Sequence, residues 1–354
     1  MLAVALGRLY PGADVQVVNA GVSGNTTVAA LARIEADVLA HRPDLVVVMF
    51  GMNDVTGIPP ETYRANLAEI VRRCTATGTE VVLCTPNSIY DEDPGRPLGR
   101  LAAYAGIVRE VATTLGVPVA DHFAVYEGIR RRDERAWAEL MSETIHPNMR
   151  GHKAMAEEVA WVISGRRVSL SKVGPLLPGL PRTLECLQTE QPVRVLAMPP
   201  YDELIGPALM AVRPDAKVQV TRWETAGKSL ADLESEARAM GWSAPSDGGS
   251  RVQRDLVIIA VPGSALAGDA RDYYRRYSWV LNWSLSFGRM EWDCLVVLPS
   301  VAEPQLNLPD QAAEALALRV AQGQDLPYLL REEGDQRPAA TVFGEWVRRQ
   351  LQSP

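Results

Sequence analysis

Three polar clusters in the first half of the chain have residue types that could do chemistry together. "NAGVSGNTT" (19–27) carries Gly21 and Gly24, which permit a tight turn with exposed backbone amides. "GMND" (51–54) puts Asn53 and Asp54 directly after a strongly apolar run, and "SETIHPNMRGH" (142–152) sets His146 just ahead of Pro147. Singly, each has a plain structural reading: a loop with an N-cap, a turn closing a strand, a helix entry. Jointly, a backbone amide, a side-chain amide and an imidazole are the parts needed to stabilise an oxyanion and move a proton. His152 lies six residues beyond His146. That spacing does not share a helix face, so no zinc site is expected there.

These clusters need elements to hold them. Short, β-branched, nearly continuous runs at 15–18, 44–50, 80–86 and 117–121 read as strands buried on both faces of a parallel sheet. Helical periodicity fills 27–39, 60–76, 98–115 and 149–164, and Leu2, Ala5, Leu6 and Leu9 mark a helix at the very start. The alternation predicts a doubly wound α/β fold, in which ligands collect at the carboxyl ends of the strands. The three clusters fall at those ends.

The chain has 354 residues, enough for two α/β domains, and its 47 % apolar and 22 % charged content is that of a globular protein. A net charge of −7 gives no support to nucleic-acid binding. No apolar run reaches the roughly 20 residues that span a bilayer, so no membrane partner is expected. No secretory signal is visible in the sequence as written, and the compartment is left open. Cys74, Cys84, Cys186 and Cys294 lack metal-ligand or redox spacing and read as buried thiols.

A Pro- and Gly-spaced stretch, "VGPLLPGLPRTL" (173–184), precedes what reads as a second pass of the same pattern. "YPGADVQVVNAGVSGNTT" is echoed by "RPDAKVQVTRWETAGKSL", with Pro11 matching Pro214 and Gly24 matching Gly227 at an offset of 203. "PDLVVVMFGMND" is echoed by "RDLVIIAVPGSA", and two further blocks follow in order. The expected organisation is a domain over 1–168, a linker over 169–191 and a degenerate copy over 192–354. The second copy has a strand, "PVRVLAMPPYDE", ahead of its first helix, and the first copy has no counterpart. The expectation is that a leading strand is missing from the first sheet. Residues 15–18 and 44–50 should then either leave a gap or pair directly.

"NAGVSGNTT", "GMND" and "ETIHPN", in this order and on these elements, resemble blocks II, III and V of the SGNH (GDSL-type) hydrolases over about residues 1–165. The resemblance implies a serine-histidine carboxylic ester hydrolase on a flavodoxin-like parallel sheet, acting on a small-molecule ester without metal or organic cofactor. It further implies that Gly24 gives a backbone N–H and Asn53 a side-chain amide to the oxyanion hole. His146 is then the general base, with Glu143 three residues earlier in the place of the usual Asp. The nucleophile of that family stands in a Gly-Asp-Ser turn after the first strand, and no such tripeptide occurs in this sequence. The chain is therefore expected to be truncated and inactive. Ser23 is not a substitute, because the G-x-S-x-G elbow needs a glycine where Asn25 stands.

The second copy has Pro262 and Ser264 where Gly51 and Asn53 stood, and no histidine follows His152. It should be structural or binding. The alternative for the whole chain is a non-catalytic carbohydrate- or protein-binding module, with a scaffold role behind it. No phosphate loop supports nucleotide binding. Oligomeric state is not read from the sequence.

Overall fold

The computed structural model describes residues 1–175, 179–240, 253–265, 269–286 and 291–352. Residues 176–178 of the expected linker, and parts of the expected second copy, lie outside this set. The chain divides into two compact units, Met1–Val173 and Gly174–Pro354.

In the first unit the order is α1 (Leu2–Leu9), α2 (Thr27–Asp37), β1 (Leu45–Met49), α3 (Pro60–Ala76), β2 (Glu80–Cys84), α4 (Leu98–Leu115), β3 (Val119–Ala120), α5 (His122–Arg132), α6 (Glu134–Ala138) and α7 (Met149–Ser164). The strands form a parallel sheet in the order β1-β2-β3. Strand alternation sends Val48, Val81 and Leu83 into a core with α2, α3 and α4. Val82, Cys84 and Ala120 point the other way, against Val159 of α7, with Leu2 packed beside them. Helices thus cover both faces, as the sequence pattern requires. Burial pushes the Cys84 thiol up to about 12, so it is an inert core residue.

One expectation fails here. Residues 15–18 form no strand, and they do not pair with β1. Their local pattern suits a strand, but a strand exists only through hydrogen bonds to a neighbour, and none lies beside them. Val17 and Val18 are left exposed.

The second unit runs α8 (Pro181–Gln188), β4 (Val193–Ala197), α9 (Tyr201–Val212), β5 (Val218–Arg222), α10 (Leu230–Met240), β6 (Leu256–Ile259), α11 (Ala270–Ser284), β7 (Asp293–Val297), α12 (Pro299–Ala302), α13 (Leu308–Gly323), β8 (Tyr328–Leu329) and α14 (Ala339–Gln352). Its sheet is also parallel, in the order β5-β4-β6-β7-β8. With three strands against five, the two sheets do not reproduce one another strand for strand. Residues 181–188, expected within the linker, are helical, and Cys186 and Leu187 are buried in the second unit's core. Pro181 opens that helix, a position where a missing N–H costs nothing.

Candidate active site

The turn after β1 is built around two constraints. Gly51 has φ +117°, and a Cβ there would stand 2.8 Å from the Tyr63 hydroxyl, which donates to Phe50 O at 3.0 Å. Only glycine fits. Asp54 is fully buried, and its carboxylate accepts from Thr27 N at 2.8 Å, Thr27 Oγ1 at 2.6 Å and Gly51 N at 3.2 Å. Thr27 is the first residue of α2, so Asp54 ties the start of that helix to the end of β1. With these bonds made, Asp54 is a structural clamp.

Asn53 is held by both neighbouring loops. Its Nδ2 donates to Asn25 O at 3.0 Å, and the Asn25 side chain in turn accepts from Arg33 Nε at 2.9 Å. An amide nitrogen carries two hydrogens, so one remains to donate elsewhere. Arg96 Nη2 donates to Asn53 Oδ1 at 3.4 Å and its Nε to Met52 O at 3.0 Å, which fixes which end of the amide is the donor. Gly24, beside Asn25, sits in the left-handed region at φ +76° in an exposed turn.

His146 lies in a closed loop between α6 and α7. Ser142 N donates to His146 O at 2.9 Å, and Asn148 caps α7 by accepting from Gly151 N at 3.0 Å. Glu143 is buried, and its Oε1 accepts from both His146 N and His146 Nδ1. Its Oε2 takes Ile145 N at 3.2 Å. The carboxylate therefore holds the ring through Nδ1 and leaves Nε2 for proton transfer, while the imidazole itself is 69 % exposed. The side chain of glutamate, longer than aspartate by one methylene, makes this contact.

The structure thus brings Gly24, Asn25 and Asn53 together, and separately Glu143 with His146. The stretch after β2 is bonded to both groups. Asn87 Nδ2 donates to Ile145 O at 3.1 Å, Tyr90 N to Thr144 O at 3.0 Å, and Arg96 reaches Met52 and Asn53. Both groups accordingly sit at the carboxyl edge of the sheet. Asn25, Asn87 and Arg96 were not evident from the sequence. Arg96 lies in the Pro- and Asp-rich loop "DEDPGRP" between β2 and α4, whose length was the available hint.

Other polar residues nearby are committed to the fold. Asp121 accepts from Arg109 Nε at 2.7 Å and from Thr85 Oγ1 at 3.1 Å, and it caps α5. Ser23 stands in the exposed turn before Gly24. In the second unit, Arg337 is bound to Asp335 and Glu345. Among the described residues there is no cluster of His, Cys, Asp and Glu suited to a metal, and no helix is long and apolar enough to cross a membrane.

Residues 1–154 match the GDSL-like Lipase/Acylhydrolase family. The first half of the chain is similar to that family. An acetylxylan esterase of Geobacillus stearothermophilus is 29 % identical over 164 residues, covering 43 % of this chain and 73 % of that protein. Esterase TesA of Pseudomonas aeruginosa is 40 % identical over 73 residues, which is 20 % of this chain and only 36 % of TesA. Among solved structures, a lipase/acylhydrolase from Enterococcus faecalis is similar at 27 % identity and a TM-score of 0.42, covering 48 % of this chain and 87 % of that one. The sequence likenesses support a hydrolase of the GDSL type.

Proposed function

We propose that the GDSL-like unit holds the proton-transfer and oxyanion groups of a serine hydrolase of small carboxylic esters, a chemistry that needs no metal or organic cofactor. The observation that carries this reading is the Glu143–His146 couple at the same sheet edge as the anchored Asn53 amide. His146 takes the proton from an attacking hydroxyl at Nε2, and Glu143 stabilises the resulting imidazolium through Nδ1. The free N–H of Asn53 and the backbone N–H of Gly24 receive the charge on the tetrahedral oxygen. Each such donor is worth about 3 kcal/mol of barrier in comparable sites.

The attacking group in this reading is the serine of a Gly-Asp-Ser turn, a tripeptide that the 354 residues do not contain. The 354-residue chain is accordingly expected to turn over esters weakly at most. The test compares p-nitrophenyl acetate hydrolysis by three proteins. One is this chain, the second is the chain preceded by an apolar strand ending in Gly-Asp-Ser, and the third is that extended chain with His146→Ala. The extended chain should exceed both others by on the order of 10³-fold or more. Equal rates from all three would end the proposal.

A further inference from the structure

A groove of about 400 Å³ opens in the second unit at the amino end of β8, the edge strand of its sheet. One wall follows from how α13 stops. Leu326 N donates to Ala321 O at 3.0 Å and Asp325 N to Gln322 O at 3.2 Å, and Asp325 turns into the left-handed region at φ +53°. Aspartate enters that region more readily than most residues. The chain then passes through Leu326 and Pro327 into Tyr328 of β8. Gln322, Asp325 and Tyr328 thereby line one opening.

α14 supplies the opposite wall. Trp346 and Gln350 stand four residues apart on that helix, hence on one face of it, and both line the groove. Pro175 and Gly179 border it too. A Cβ at Gly179 would stand 2.2 Å from Gln350 Oε1, so the glycine lets that amide lie where it does.

The lining is polar without being basic. Among the described residues no lysine, arginine or histidine lines the groove, and Asp325 is its one charged residue. An anionic ligand would meet repulsion and no counter-charge. The uncharged hydrogen-bonding groups are largely unspent. Trp346 is only 8 % exposed, yet no protein group accepts from its Nε1. The Gln350 amide makes no hydrogen bond, and Gln322 makes one long bond, from Nε2 to the Tyr328 hydroxyl at 3.4 Å. An indole offers one donor on an apolar ring, and each amide offers donors and an acceptor in one plane. The matching ligand is uncharged, bears several hydroxyls and has an apolar face. A pyranose sugar has all three properties, and the groove's volume lies within the roughly 300–1,000 Å³ of small-ligand sites.

We propose that this groove binds a neutral sugar, a mono- or disaccharide. Its ring lies against Tyr328 and Trp346, and its hydroxyls bond the Gln322 and Gln350 amides and Trp346 Nε1. The inference concerns the second unit alone and stands whether or not the first unit hydrolyses esters.

The test titrates the 354-residue chain with glucose, cellobiose and N-acetylglucosamine by calorimetry. Choline serves as a cationic control, because aromatic rings beside a carboxylate also suit a quaternary ammonium. At least one sugar should bind saturably with a Kd below about 5 mM. Trp346→Phe keeps a ring and removes the donor, and Gln350→Leu keeps the bulk and removes the amide. Each should weaken that binding by about tenfold or more. Gln350 is only half-buried, so its variant should melt within about 2 °C of the parent even if Trp346→Phe loses stability. No saturable binding by any of the three sugars up to about 50 mM overturns the proposal. So does sugar binding that Gln350→Leu leaves unchanged, since the sugar then sits elsewhere. Tighter binding of choline than of every sugar overturns it as well, and makes the groove a cation site.

Discussion

Glu143 uses one carboxylate for two purposes, bracing its own loop through the Ile145 and His146 amides and orienting the His146 ring. Replacing it therefore tests positioning against folding. In the serine-bearing extended chain, Glu143→Gln should lower kcat by on the order of 10³-fold with little change in KM, because an amide holds the ring but does not stabilise an imidazolium. A matching rise in KM would point to loop collapse instead. Asp54 differs in kind. Asp54→Ala leaves three donors buried without an acceptor, and should cost about 3 kcal/mol in urea unfolding of the first unit. The two residues were unequally legible. Glu143 stands three residues before His146, a spacing visible in sequence, whereas the partners of Asp54 arrive from two segments and only folding shows them. Asn87 and Arg96 were hidden for the same reason.

At the level of elements, local pattern sufficed wherever an element supplies its own hydrogen bonds. The helices expected at 60–76, 98–115 and 149–164 are α3, α4 and α7 to the residue. The strands at 44–50 and 80–86 came out shortened to β1 and β2. Residues 15–18 went wrong because a strand is a property of a pair. α5 offers a prediction at this scale. His122, its first residue, is buried, and its Nδ1 has no hydrogen-bond partner. Burial pushes its pKa down to about 4, with the Asp121 charge opposing only in part. The unfolded value is about 6.5, so the unfolded chain takes the proton first as pH falls. Stability is full above about 6.5 and declines until pH passes the folded value near 4, by at most about 3 kcal/mol. Urea unfolding of the first unit should show this slope, and His122→Gln should flatten it. An unchanged slope in the variant would assign the acid sensitivity to another group.

For the whole molecule, two acid-sensitive groups that titrate in different pH ranges lie in different units. His122 belongs to the first unit, and Asp255 to the second. Burial alone would raise the Asp255 carboxyl, but the Arg194 and Arg182 guanidiniums and the Arg194 amide outweigh it and hold the group at about 2. Its folded pKa lies below the unfolded value of about 3.9, so its contribution is complete above about pH 4 and disappears as pH falls towards 2. Asp293, raised by burial, works in the opposite sense and blunts the first part of that loss. Acid should therefore loosen the units in sequence. Between pH 6.5 and 4.5, protection factors should fall in 1–173 while those of 174–354 hold, and the second unit should follow only below pH 4. Asp255→Asn should weaken the second unit at pH 7 and remove its further loss in acid, leaving the first unit's response unaltered. Simultaneous loss of protection in both units near pH 5 would contradict this order. Six of the eight tryptophans lie beyond residue 173, so fluorescence should follow mainly the later event.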